Sequence, residues 1–101
     1  MINMKIYYVM IEGTPKETNH ESKETKGAYI DIWVKTDSLE EAVKQAKDYV
    51  DREEWNVIQI EESKSMKRED YIDDQELLEC YDEASEKGIS SIFYTWDSEE
   101  G

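Results

Sequence analysis

Carboxylates are the chemistry-capable groups this chain holds in excess, and they are clustered. Glu69, Asp70, Asp73, Asp74, Glu76, Glu79, Asp82, Glu83 and Glu86 fall within eighteen residues that contain no Lys or Arg, and so carry nine of the fourteen net negative charges. Such a run could hold a divalent cation, supply an acid and base pair, or steer a basic partner. The first use needs oxygen ligands wrapped around the ion. Asp70 to Glu79 lacks the alternating Asp/Asn positions and the Gly that turn an EF-hand loop, so no metal site is expected. The second use needs two acids at a defined separation, and a chain with 26 acidic residues offers so many that none stands out. The third use, electrostatic steering, is the one the pattern favours.

Nucleophiles and bases are scarce. Cys80 and His20 are the single Cys and single His. Cys80 lies on the border of a predicted helix's apolar half, beside carboxylates that disfavour a thiolate, so it reads as a structural thiol. His20 sits in a polar segment with no second His, whereas a catalytic zinc site takes three protein ligands. The isolated Gly13, Gly27, Gly88 and Gly101 do not form a phosphate-cradling loop. No catalytic residue, metal or cofactor is expected, and the chain reads as a non-enzyme.

The chain has 101 residues, with 12 basic against 26 acidic and a formal net charge of −14. That length suits one domain with a single core. A surface of this sign repels phosphate backbones and anionic headgroups over a Debye length of about 8 Å, so direct nucleic-acid or membrane binding is not expected. One Cys permits no internal disulfide, and the longest apolar run, Ile6 to Ile11, is too short for a span or a leader, which points to the cytoplasm. Eleven percent aromatic residues, placed inside periodic apolar runs, argue for a packed core rather than disorder.

Several elements must position these groups. Asn3 to Glu12 is a nearly continuous apolar run and predicts a central strand. Residues 13–27 are polar and aperiodic, and predict a long loop. Ala28 to Lys35 alternates, with Ile30, Ile32 and Val34 on one face and Tyr29, Asp31, Trp33 and Lys35 on the other, as in a strand paired antiparallel with the first. Ser38 and Glu41 fit a capping box that opens a helix. Leu39, Ala42, Val43, Ala46, Tyr49 and Val50 line one arc of it, opposite a ladder of Glu40, Lys44, Asp48 and Arg52. Trp55 to Ile60 predicts a third strand, reached by a crossover, and Glu61 to Arg68 either extends it or forms a loop holding Lys64, Lys67 and Arg68.

A second helix is predicted from about Asp74 to Lys87, capped by Asp73 or Asp74 and stopped by Gly88. Its wheel puts Leu77, Leu78, Cys80, Tyr81, Ala84 and Ser85 on one half, and Glu76, Glu79, Asp82, Glu83 and Glu86 on the other without a cation. Ile89 to Trp96 predicts the last strand and 97–101 a flexible tail. The expected fold is a single small α+β domain, in which a four-stranded mixed sheet of order β-β-α-β-α-β has two helices packed on one face. Its expected core is Ile6, Ile30, Ile32, Val34, Leu39, Val43, Ala46, Val50, Ile58, Ile60, Leu77, Tyr81 and Ile92.

The function this pattern suggests is a protein-protein interaction module. Glu76, Glu79, Asp82, Glu83 and Glu86 would face a basic protein partner, and an inhibitor or immunity-type protein whose carboxylates imitate a nucleic-acid backbone is the sharper form. If the helices cover one face, Tyr29 and Trp33 on the other would allow a homodimer through the sheet. Two readings compete with it. One is a small-molecule-binding or enzymatic domain with an aromatic-lined pocket, for which Asp31 is the acid placed among strand aromatics. The other is acidity that serves solubility alone.

Overall fold

The computed structural model describes residues 4–20 and 22–97. The expected strand start at Asn3 and the tail from Ser98 lie outside those residues. The elements run β1 (Lys5–Pro15), β2 (Thr25–Thr36), α1 (Leu39–Arg52), β3 (Trp55–Met66), a single 3-10 turn (Arg68–Tyr71), α2 (Gln75–Lys87) and β4 (Ile89–Asp97). This is the α+β order that the periodicities predict. Ser38 caps α1, its hydroxyl accepting from the Glu41 amide at 3.1 Å. Asp74 caps α2 through the Leu77 amide at 3.2 Å, and Gly88 ends it at φ 99°, in the left-handed region that favours glycine.

The sheet has strand order β3-β1-β2-β4, and every neighbouring pair is antiparallel. It is therefore antiparallel throughout rather than mixed. The crossover through α1 does relate two strands of the same direction, but β1 lies between them. β1 can fill that central place because its run Ile6-Tyr7-Tyr8-Val9-Met10-Ile11 is apolar on both faces.

The helices lie on opposite faces of the sheet, not on one. Tyr7, Val9, Ile11, Ala28, Ile30, Ile32 and Val34 pack against Ala42, Ala46 and Val50 of α1. Ile6 and Trp33, from the other face of the same strands, pack against Tyr71 and Ala84, with Tyr8, Met66, Leu77, Leu78, Tyr81 and Ile92 around them. The cause is β2, whose alternation is aliphatic against aromatic rather than apolar against polar. A Trp carries about 150–250 Å² of surface, and at 0% exposure Trp33 has been covered by the second helix. Ala42, Ala46 and Ala84 are fully buried, so each helix turns small side chains towards the sheet.

Two expected core residues are on the surface: Leu39 is 41% and Ile58 53% exposed. Leu39 is the first residue of α1, ahead of its packed turns. Ile58 is an extra residue in β3, because Glu12 pairs with Gln59 while Gly13 pairs with Val57; a second bulge falls at Glu61, between the partners of Met10 and Ile11. A bulge rotates its side chain off the core face. The strands are also longer than their apolar runs. Gly13, Thr14 and Pro15 keep pairing with Val57, Asn56 and Trp55, Thr25 already pairs with Asp97, and β3 continues to Met66. The connection between β1 and β2 is therefore 16–24 rather than 13–27. Gly13 serves that close pairing, since a Cβ there would lie 2.9 Å from the Asn56 carbonyl oxygen.

Candidate functional site

The acidic stripe predicted for α2 is present, with two local corrections. The Arg68 guanidinium, brought round by the 3-10 turn, donates to both Asp82 carboxylate oxygens at 2.9 and 3.0 Å. This fork holds the Asp82 carboxyl below the usual carboxylate range, through its hydrogen bonds and its charge. Glu83 has Lys87 at 3.9 Å, one turn on. Glu79 accepts a neutral hydrogen bond, from Gln75 at 3.3 Å. The stripe is thus partly compensated at Asp82 and Glu83, through cations from outside the eighteen-residue run, while Glu76, Glu79 and Glu86 keep their charge exposed.

Beneath α2 lies a polar chain within an aromatic cluster. The Tyr8 hydroxyl donates to Asp31 Oδ1 at 2.8 Å. The Tyr8 ring packs on Trp33 at 5.5 Å, and the Trp33 indole N–H donates to the Tyr71 hydroxyl at 2.9 Å. Lys64, bound to Glu62 at 2.8 Å, places its ammonium 5.9 Å from the Tyr8 ring centroid. Burial pushes the Asp31 carboxyl above its ordinary range; the Tyr8 hydrogen bond acts against that shift and the Glu62 charge adds to it. Burial likewise pushes the Tyr8 hydroxyl up, as do the hydrogen bond to Asp31 and its charge. Asp31 is therefore buried, as a ligand-site acid would be, but already engaged by a phenol. Sequence periodicity identified Asp31 and missed Tyr8, although the second face of β1, Ile6-Tyr8-Met10-Glu12, is legible from alternation.

Past the first turn of α2 the same sheet face is open. Tyr29 is 41% and Tyr94 46% exposed, and they are cross-strand neighbours. Trp96 lies against Tyr29 at 5.1 Å and covers Gly27, where a Cβ would come within 2.4 Å of the indole. Partial burial raises the Tyr94 hydroxyl, and the carboxylates of Asp31, Glu76 and Asp74 add to it. The arrangement is an aromatic corner bordered by carboxylates, which suits a cation held over ring faces.

No family model, curated protein or solved structure matches the chain.

Of the two residues expected at a dimer face, Tyr29 is accessible and Trp33 is not. Trp33 is fully buried under α2 and the 3-10 turn, because the helices do not share a face, so it cannot line a surface between copies. Cys80 is half-buried, and burial, with the charges of Glu83, Glu76 and Glu79 behind it, pushes its thiol up to about 11, away from the thiolate form. His20 lines an open cleft of about 610 Å³ with Arg52, Trp55 and Phe93. That cleft is on the α1 side of the sheet, whereas Asp31 points to the α2 side. Among the described residues, no helix is long and apolar enough to cross a membrane.

Proposed function

We propose that this protein is a non-enzymatic binding module of the cytoplasm that docks on a basic protein partner. The observation that supports the reading best is that the acidic stripe of α2, with Glu76, Glu79 and Glu86 exposed, begins beside the aromatic corner of Tyr29, Tyr94 and Trp96, where Glu76 and Asp74 act on Tyr94. Carboxylates attract Lys and Arg at a distance, and ring faces hold their side chains on contact. An inhibitor or immunity-type role, in which the carboxylates stand in for phosphates and fill a basic cleft, is the specific form we favour. Free nucleic acid and anionic membranes are repelled by the same charges.

The rival reading, a ligand or enzyme site built on Asp31, has burial in its favour but lacks convergence, since the acid and the large cleft are on opposite faces. The test is affinity capture with wild type and with the Glu76, Glu79, Glu86→Lys reversal. We expect a basic protein that binds wild type, is released by salt and is lost on reversal, while the variant keeps the folded circular-dichroism spectrum of the wild type. Capture of an acidic partner, or capture that survives the reversal, would sink the proposal.

A further inference from the structure

We infer that the partner binds at the outer edge of β4, adding an extended strand to the sheet with basic side chains towards α2 and uncharged side chains towards α1. This rests on the proposed function and names its binding mode. β4 ends the strand order, so its outer edge is unpaired among the described residues. Proteins normally defend such edges with charge, proline or bulges. The opposite edge is defended in this way, for β3 carries Glu61, Glu62 and Lys64 and bulges twice. Ile89 to Trp96 has no charged residue and no proline, and pairs with β2 without a register shift from Ile89 to Thr95.

The surroundings of that edge fit an occupant of alternating character. On one side α2 is fastened to the strand by the Ser90 hydroxyl, which donates to the Cys80 carbonyl at 2.6 Å. Glu76 and Glu83 flank Cys80 on the wheel, and Glu76 and Asp74 act on Tyr94 in β4 itself. On the other side α1 reaches β4 where the Tyr49 and Ser91 hydroxyls lie 2.7 Å apart, and open clefts flank that contact, one of about 610 Å³ beside Phe93 and Thr95 and one of about 480 Å³ beside Ile89, both rimmed by charges of either sign from α1 and its ends. Side chains of an added strand alternate between these two sides. A second copy is the poorer occupant, because a two-fold axis at this edge would bring two acidic α2 helices together on one face.

The test uses a capped octapeptide of alternating Arg and Val, its fully N-methylated form, and a form with Ser in place of Arg. We expect the parent peptide to bind, to slow amide exchange in Ile89–Trp96, and to lose at least about tenfold in affinity on N-methylation or on Ser replacement. Equal binding by the N-methylated peptide overturns strand addition and leaves acidic docking standing. Equal binding by the Ser peptide, with β4 protected, overturns the basic partner and with it the proposed function. Failure of the parent to bind, while wild type still captures a basic protein, overturns strand addition alone, and a peptide-free dimer with β4 already protected overturns the choice of occupant in favour of a second copy.

Discussion

Asp31 and Tyr8 give the most direct test at the scale of single residues. A carboxyl raised in the folded chain binds its proton more readily there than in the unfolded chain. The native state is then favoured at low pH, and stability falls as pH rises from the ordinary carboxylate value of about 4 through the raised one. Asp31→Asn keeps an acceptor for the Tyr8 hydroxyl and removes that slope. Its urea midpoint should gain on wild type progressively between about pH 4 and pH 7, and a difference that stays constant with pH would show that Asp31 titrates normally. Tyr8→Phe acts in the opposite sense, since the hydrogen bond is what restrains the shift. Carbon-detected titration of the Asp31 carboxyl should move to higher pH in that variant, at a cost of about 1–3 kcal/mol for a part-buried charge without its donor.

Among the elements, the junction of α1 and β3 carries a local conflict. Glu54 adopts φ 67°, which its Cβ disfavours. It is kept there because its carbonyl accepts from the Lys16 amide at 3.0 Å and the Asn19 side-chain amide at 3.1 Å. Glu54→Gly should therefore raise stability by up to about 1 kcal/mol, and a loss in chemical denaturation would mean that the turn is not strained. The elements were legible where a local signal decides them: the Ser38 and Asp74 caps, the Gly88 stop and the α1 apolar arc all act within a few residues. The sheet order and the second helix's face were not, because they depend on where Trp33 finds cover and on which edge of β1 accepts β3. The bulges at Ile58 and Glu61 leave no local mark in the sequence either. The acidic stripe was legible as charge, while the Arg68 fork on Asp82 required a turn that periodicity does not reveal.

For the whole molecule, a net charge of −14 with a handful of surface ion pairs means that repulsion outweighs attraction in the folded state. Salt should stabilise the protein by screening that repulsion, so the thermal midpoint should rise between about 0.01 and 0.15 M, where the Debye length falls from about 30 to 8 Å. A midpoint that falls with salt would show that the ion pairs dominate. The same screening would weaken capture of a basic partner, so the two measurements must move in opposite directions. The central position of β1 also bears on how the chain is made. β2 follows β1 closely and can pair with it early, but the other edge of β1 waits for a strand that ends at Met66. During synthesis, an apolar strand flanked on one side only is exposed until β3 has emerged, and that interval is when the nascent protein is most vulnerable to sticking to its neighbours.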